Sequence, residues 1–275
     1  MEDAATDPYA AALAARWAGA DLLGRRRLDE PGVRGLVSDG GEAATQLLVV
    51  DDRALEVLAA LLPRTRGGTV RVYDAAPRCA ELLERRAGWV PAPVTGMVRG
   101  DLGSVPEPSL PSGLTLHRVR RRDDTGRGAP VGGSGGSRGG AGSGEAASDV
   151  ALVDAVEVAI RAAGPSSRPG DGLVRHLASL PADARLWAAV DGAGAVRGTS
   201  GSRTFGAQAW VFFVNTDPAW RGRGVGRAMT AVALRHTAGN GAERAALDAS
   251  RAGRSLYLRL GFVAVRELWQ FNRSA

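Results

Sequence analysis

The chain contains no lysine. All 35 of its basic residues are arginine, and the net charge is +6 over 275 residues. A P-loop nucleotide-binding protein, a protein kinase and a pyridoxal enzyme each need a lysine at a defined place, so the sequence excludes these three classes. Isoleucine occurs once, at Ile160, whereas alanine and glycine are abundant. This bias is typical of a bacterial genome rich in G and C and carries no information about chemistry.

Cysteine and histidine are also scarce. The single cysteine, Cys79, excludes a disulfide framework and a cysteine-rich zinc site, and we expect it to be a small buried residue on a helix. The three histidines, His117, His176 and His236, lie far apart in sequence and lack the spacing of metal ligands. We therefore expect no metal site.

Long apolar runs are absent as well. No run reaches the roughly 18 residues of a membrane span, and the start of the chain, Met1-Glu2-Asp3, is acidic, unlike a secretory signal. We therefore expect a cytoplasmic protein without a membrane partner. The positive charge would permit nucleic-acid binding, but the arginine clusters are short and lack interleaved aromatic side chains. An arginine-rich nucleic-acid-binding protein stays open as the weaker alternative.

Hydrophobic periodicity predicts alternating helices and strands on both sides of a glycine-rich segment. That segment, residues 126–144, has ten glycines in nineteen residues and the composition of a flexible coil. In the second half we predict helices at 150–163, 173–180, 225–237 and 253–260, and strands at 184–190, 196–204, 208–216, 244–248 and 262–271. In the first half we predict strands at 45–50 and 69–73, and helices at 53–62 and 77–86.

The two halves also share a short pattern. Residues 83–89 read LERRAGW and residues 256–262 read LYLRLGF, so each begins with leucine and ends with glycine and an aromatic residue. Together with the repeated element order, this indicates a duplicated unit. The first copy has no glycine loop after Val50, and it has Glu84 where the second copy has Tyr257.

The strongest local signal lies between a predicted strand and a predicted helix, where residues 216–228 read TDPAWRGRGVGRA. Glycines there let backbone N–H groups approach an anion, and a helix N-terminus adds partial positive charge. The residues of this predicted pyrophosphate cradle are Arg221, Gly222, Arg223, Gly224, Val225, Gly226 and Arg227. A dinucleotide-binding fingerprint is excluded, because it would need glycine where Arg227 stands.

The spacing Arg221-x-x-Gly224-x-Gly226 resembles the acyl-CoA-binding loop of the GNAT N-acetyltransferase superfamily. The signature that begins with Leu256 and Tyr257 and ends with Gly261 and Phe262 also matches the family. The resemblance covers about residues 114–275 and implies an α/β fold whose C-terminal domain, 114–275, has a mixed central sheet of the GNAT type, with a flexible glycine-rich insertion at 121–148. Residues 1–113 are then expected to form a smaller, degenerate α/β GNAT-like domain.

The resemblance also implies an activity. The protein would be an acyl-CoA-dependent N-acyltransferase that uses acetyl-CoA and no metal, with a primary amine attacking the thioester directly. In the family the cofactor lies on the glycine loop and on the splayed end of the fourth strand, here Val214, Asn215 and Thr216, and a backbone N–H of Asn215 or Thr216 would stabilise the oxyanion. An acyl-CoA-binding module without turnover stays open as an alternative.

Three further site residues follow from the resemblance. Tyr257 matches the tyrosine that often protonates the leaving thiolate. Asp248, at the end of the next strand, is the candidate general base, with a water chain as the alternative. Ser250 stands where many relatives have an asparagine that contacts pantetheine, and its hydroxyl could replace that contact. The sequence specifies neither the acceptor amine nor the oligomeric state.

Overall fold

A computed structural model describes residues 7–18, 25–38, 45–120, 150–163, 174, 177–178, 180–181 and 183–273. The glycine-rich insertion at 121–148 and most of the predicted helix at 173–180, including His176, lie outside the described residues.

The predicted helices and strands that lie within the described residues are present, and the structure adds a helix at 8–18 and strands at 25–30, 33–38, 90–99, 114–120 and 150–151 that the periodicity did not predict. The helices are α1 (Pro8–Ala18), α2 (Leu55–Leu61), α3 (Pro77–Glu84), α4 (Leu152–Ala163), α5 (Val225–Gly239) and α6 (Arg254–Arg259). The strands are β1 (Arg25–Glu30), β2 (Val33–Ser38), β3 (Thr45–Val49), β4 (Gly68–Tyr73), β5 (Val90–Arg99), β6 (Leu114–Arg120), β7 (Val150–Ala151), β8 (Arg185–Asp191), β9 (Val196–Phe205), β10 (Gln208–Thr216), β11 (Arg244–Ser250) and β12 (Val263–Arg273).

All of these strands belong to one mixed sheet. Their order is β1-β2-β3-β4-β12-β5-β11-β10-β9-β8-β6-β7. The pairs β3–β4, β10–β11 and β6–β7 are parallel, and the other neighbours are antiparallel. The predicted α/β class with a mixed central sheet is therefore confirmed.

The two halves exchange one strand each. The order β3-α2-β4-α3-β5 in the first half repeats as β10-α5-β11-α6-β12 in the second. In the sheet, β5 lies between β12 and β11, whereas β12 lies between β4 and β5. Each half thus places its last strand between two strands of the other half, and the sheet runs without interruption across the predicted domain boundary.

The short pattern shared by the halves corresponds to a repeated helix end. After α3 and α6 the chain passes through a glycine with positive φ, Gly88 at 86° and Gly261 at 78°. This left-handed conformation is common just beyond a helix C-terminus, where glycine adopts it without strain. The next residue, Trp89 or Phe262, is buried in the core of its half.

The strand β5 was not predicted because two prolines interrupt its pattern. Pro91 and Pro93 lie in the first part of β5, and proline cannot donate to a sheet ladder. The partner β12 pairs with residues 90–98 of β5, but β11 pairs only with residues 94–99. The prolines therefore lie where only β12 pairs with β5. Their missing N–H groups remove no hydrogen bond with β11, which pairs with β5 only from residue 94 onward.

The sheet carries helices on both faces. α5 and α6 cover one face of the second half, in a core that includes Leu247 and Tyr257. α1 lies on the opposite face, near the centre of the sheet, and buries Tyr9, Leu13 and Trp17. These residues recur every four positions, which is a helical spacing that sequence analysis did not use. We call these two surfaces the α5 face and the α1 face.

The strand exchange predicts that the two halves fold only together. Without residues 1–113 the fragment 114–275 would lack β5 and would expose the edges of both β11 and β12, which favours aggregation. We expect each fragment alone to be aggregated or unfolded by circular dichroism and size-exclusion chromatography, and the two co-expressed fragments to purify as a 1:1 complex. A monomeric, cooperatively folded 114–275 fragment would contradict this prediction.

Candidate active site

An opening lies between β10 and β11 beyond Trp210. The two strands pair from Gln208 with Arg244 to Trp210 with Ala246, and then they separate. β10 has a bulge between Phe212 and Asn215, and Phe213 has a φ of 55°. Positive φ is rare for a bulky side chain, and bulges often occur next to active sites, where they redirect backbone groups.

The neighbouring strand β9 stabilises this bulge. The hydroxyl of Thr199 donates to the Phe213 carbonyl oxygen at 2.9 Å and accepts from the Asn215 side-chain amide at 3.2 Å. The side chain of Asn215 is therefore used within the protein. What Val214, Asn215 and Thr216 offer to a ligand is chiefly their backbone.

The glycine loop before α5 is open. Gly222 and Gly224 have φ values of 75° and 89°, both are exposed, and a Cβ on either would meet no atom within 4 Å. Gly224 is the N-cap of α5 and supplies no side-chain hydrogen bond to the helix. The first backbone N–H groups of α5, which have no acceptor within the helix, are therefore available to an anion.

Two other glycines let α5 approach the sheet. A Cβ on Gly226 would lie 3.2 Å from Leu256 Cδ2 and 3.3 Å from Thr216 Oγ1. A Cβ on Gly198 in β9 would lie 2.4 Å from a methyl group of Val225. Gly226 therefore serves close packing of α5 against α6 and the end of β10, a role that the sequence pattern did not distinguish from phosphate contact.

The three arginines of the loop differ in their contacts. Arg221 donates to the Ala162 carbonyl at the end of α4, at 2.6 Å, and so connects the loop to that helix. Arg223 lies over the Trp220 ring at 5.1 Å, and Arg227 is exposed on the first turn of α5. Arg223 and Arg227 are thus the cations best placed to approach a ligand on the loop.

The side chain of Asp217 caps the 3₁₀ turn Pro218–Trp220, which leads into the glycine loop. It accepts a hydrogen bond from the Ala219 N–H at 3.0 Å, and its other oxygen lies 3.2 Å from both Arg161 and Arg197. Burial alone would raise the pKa of Asp217, but these hydrogen bonds and charges lower it below its ordinary value. The carboxylate therefore stays charged and has a structural role.

Tyr257 and Ser250 lie together at the other side of the opening. The Tyr257 ring is 5.8 Å from the Phe262 ring in an edge-on arrangement, and a Cβ on Gly253 would lie 3.1 Å from it. Ser250 Oγ accepts from the Gly253 N–H at 3.2 Å, at the turn into α6. Burial raises the pKa of Tyr257 to about 12, so the phenol stays protonated at neutral pH.

Asp248 lies on the α1 face. Side chains alternate along β11, so Leu247 and Ala249 join the core under α5 and α6, and Asp248 points the other way. One carboxylate oxygen accepts from the Tyr9 hydroxyl, and the other accepts from Arg71 Nε at 2.9 Å and Nη2 at 2.5 Å. Both partners come from the first half of the chain and were missed, because nothing local in the sequence connects them with Asp248.

The structure thus brings most of the candidate residues to one place. The bulged end of β10, the glycine loop and Tyr257 lie at the opening on the α5 face, Ser250 lies at the end of β11 where the chain turns into α6, and Asp248 lies on the α1 face with both oxygens occupied. Its assignment as general base stays a prediction.

The equivalent turn in the first half is closed to an anion. After β3, the side chain of Asp51 accepts from the Arg53 N–H at 3.0 Å and caps a single 3₁₀ turn, Asp52–Ala54. Asp51 also forms a salt bridge of 2.7 Å with the Arg53 side chain. A carboxylate of the protein therefore caps the turn at the position that Gly224 leaves without a side-chain cap.

Two of the scarce residues, Cys79 and His236, have contacts within the protein. Cys79 is buried in α3, and burial together with Asp52 raises the pKa of its thiol to about 12, which keeps it unreactive. His236 contacts the Trp187 ring edge-on at 4.9 Å. Within the described residues no three His, Cys, Asp or Glu side chains group as metal ligands, and no helix there is long and apolar enough to span a membrane.

Comparisons with known proteins agree with this geometry. Residues 182–264 match the family described as "Acetyltransferase (GNAT) domain". The chain is similar to the structure of a GCN5-related N-acetyltransferase from Kribbella flavida, with a TM-score of 0.54 and 20% identity over 96% of each chain. A GCN5-related N-acetyltransferase from Sphaerobacter thermophilus gives a TM-score of 0.52 and 18% identity over 96% of this chain and 85% of that one.

A third similar structure, from Staphylococcus epidermidis, is a functionally unknown conserved protein, with a TM-score of 0.58 and 10% identity over 94% of this chain and 98% of that one. No curated protein matches the sequence. The matched segment carries the glycine loop and Tyr257 and is similar to the GNAT acetyltransferase superfamily, whose general chemistry is acyl transfer. The similar structures extend the likeness of fold over both halves of the chain.

The contacts of Asp248 predict that Asp248→Asn destabilises the protein. The change leaves the buried guanidinium of Arg71 without its counter-charge, and breaking a buried pair from one side typically costs about 3–5 kcal/mol. We expect a fall of about 3 kcal/mol in the free energy of unfolding, measured by urea denaturation. The control, Glu81→Gln, removes an exposed pair with Arg85 and should change it by less than 1 kcal/mol. Equal stability of wild type and Asp248→Asn would refute the structural role.

Proposed function

We propose that the protein transfers an acetyl group from acetyl-CoA to a primary amine. The observation that carries the proposal is the open glycine loop directly before α5, next to the opening between β10 and β11. Gly224 leaves the helix N-terminus without a side-chain cap, and a Cβ on this residue would meet no atom within 4 Å. The open space at this end of the helix suits the pyrophosphate of CoA.

The surrounding residues suit the rest of the donor. Backbone N–H groups of residues 222–227 would hold the phosphates, with Arg223 and Arg227 supplying positive charge. The bulge of β10 offers backbone groups to the pantetheine arm, and Ser250 offers a hydroxyl on the opposite side of the opening. The acyl group would then lie between the separated strands, where a bound thioester supplies an activated carbonyl.

The reaction we propose is a direct attack. The amine nitrogen forms a bond to the carbonyl carbon, the bond from that carbon to sulfur breaks, and a backbone N–H at Asn215 or Thr216 stabilises the oxyanion between these events. The Tyr257 hydroxyl gives its proton to the departing thiolate. The amine's proton leaves to water, because both oxygens of Asp248 already accept hydrogen bonds.

Gly224→Ala is the sharpest test of the donor site. The new methyl group would lie in the space that the phosphates need, so we expect the dissociation constant of CoA to rise at least tenfold in calorimetry. Wild type should bind one CoA per chain, since Asp51 closes the equivalent turn of the first half.

A matched control separates this effect from backbone strain. Gly194 has a φ of 82° and equally open surroundings, in the hairpin between β8 and β9. Alanine in either place therefore adds a similar left-handed strain of about 1–2 kcal/mol. Gly194→Ala should match Gly224→Ala in stability but keep wild-type affinity for CoA. Unchanged CoA affinity in Gly224→Ala would place the phosphates elsewhere.

Tyr257→Phe tests the chemical step. It keeps the buried ring and removes the hydroxyl, so we expect kcat to fall by about 10²-fold or more and the affinity for acetyl-CoA to stay within twofold. With a pKa of about 12, this acid should not limit wild-type turnover between pH 7 and 10. The control is Tyr73→Phe, which removes a hydroxyl that donates to Asp7 on the α1 face.

Two results would go against the proposal. A kcat for Tyr257→Phe within threefold of wild type, with chemistry rate-limiting, would remove the general-acid role. Tight binding of CoA by wild type, with no acetylation of any amine in a broad panel, would favour a sensing module.

A further inference from the structure

Two guanidinium groups flank one indole ring on the α1 face. The Arg16 guanidinium, from α1, lies 5.1 Å from the centre of the Trp210 ring, and that of Arg71, from β4, lies 5.7 Å from it. Trp210 is the last residue of β10 that pairs with β11. The pair of cations therefore lies beside the start of the opening.

Carboxylates on this face already form hydrogen bonds or salt bridges with other side chains. Asp248 binds Arg71 and Tyr9 through its two oxygens. Asp183 forms a 2.9 Å salt bridge with Arg203, the next cation on this face.

Asp7, at the other end of α1, accepts hydrogen bonds from Tyr73 at 2.7 Å and from Arg266 at 3.0 Å. Asp248, Asp183 and Asp7 thus each have another partner.

Arg16 is the cation that remains. Within the described ranges it has no hydrogen bond and no ion pair, its nearest charged neighbours are the other groups of this cluster, and the residue is half-buried. Burial and the charge of Arg71 lower the pKa of Arg16 to about 9. Arg71 is itself well buried, and its Nη1 has no hydrogen-bond partner. An anion beside the two guanidinium groups would offset both costs.

Arg16 and Trp210 lie on the side from which the proposed acceptor would approach. The glycine loop and Tyr257 lie on the α5 face, so the donor would enter the opening from there. The thioester carbonyl can then be reached from the α1 face, where Trp210 and Arg16 lie. A charge at Arg16 would thus contact a part of the acceptor other than its reacting nitrogen.

We infer that the acceptor is an amine that also carries an anionic group, and that Arg16 binds this group. The inference rests on the proposed function and names the substrate class of the same site. A carboxylate and a phosphate present the same chemistry to a guanidinium, which forms paired hydrogen bonds with either.

Matched substrates test the inference. The pairs are 4-aminobutanoate with 4-aminobutanamide, and 2-aminoethyl phosphate with 2-aminoethanol, each assayed with acetyl-CoA. We expect wild type to favour the charged member of at least one pair by tenfold or more in kcat/KM, and the preferred pair identifies the anion. Arg16→Gln should remove this preference by raising KM for the charged amine, with kcat and the neutral amine changed less than twofold.

Two further variants control for charge and folding. Arg16→Lys keeps a cation and should keep part of the preference. Arg85→Gln removes an exposed arginine that pairs with Glu81 on α3 and should leave every amine unaffected. Equal kcat/KM for charged and neutral amines in wild type, or an equal loss for both in Arg16→Gln, would overturn the inference and leave the transferase activity standing.

A binding measurement decides the inference even if no amine is acetylated. Sodium butanoate and inorganic phosphate are titrated into wild type and Arg16→Gln in the presence of CoA, with binding followed by NMR. Saturable binding that weakens at least tenfold in Arg16→Gln supports an anion site at Arg16. Failure of both anions to bind wild type overturns it, whereas failure of CoA to bind overturns the proposed function instead.

Discussion

The exchange of β5 and β12 is the constraint on which the rest of the structure depends. Because β5 lies between β11 and β12, the strand that carries Asp248 and Ser250 is held on one edge by the first half of the chain. Its other edge pairs with β10 only as far as Trp210. Two features therefore define the opening. β11 is held in place by its pairing with β5, and β10 stops pairing with β11 before the bulge of β10.

The ion cluster around Asp248 fixes the same junction on the α1 face. Tyr9 and Arg71 join α1 and β4 of the first half to β11 of the second. A buried ion pair contributes little net stability over an apolar pair of similar volume, but it tolerates few alternative arrangements of its partners. Its main consequence here is geometric, because it sets where α1 crosses the sheet and hence where Arg16 meets Trp210. The half without a glycine loop thus builds part of the α1 face, from which the proposed acceptor would approach.

Sequence reasoning worked where the signal was local. The strand Gln208–Thr216 and the start of α5 at Val225 match their predicted bounds, because alternation and a glycine loop before a helix are local patterns. It missed β5, whose prolines are tolerated only because β11 ends early, and it could not foresee the strand exchange. The partners of Asp248 lie 177 and 239 residues away, so no spacing rule could connect them. The candidate donor site was therefore predictable, and the α1 face was not.

The two copies of the repeated unit differ at the turn that leads from the strand into the helix. The turn after β3 and the turn after β10 are equivalent in order, but Asp51 neutralises the first with its own carboxylate and Gly224 leaves the second open. Positive potential is thus kept at the loop on the α5 face and, through Arg16, on the α1 face. A donor and an acceptor that enter from opposite faces do not compete for space, so both can be bound at once. The direct attack proposed above would require such a ternary complex, and the separation of β10 and β11 beyond Trp210 is the opening at which we propose that the two meet.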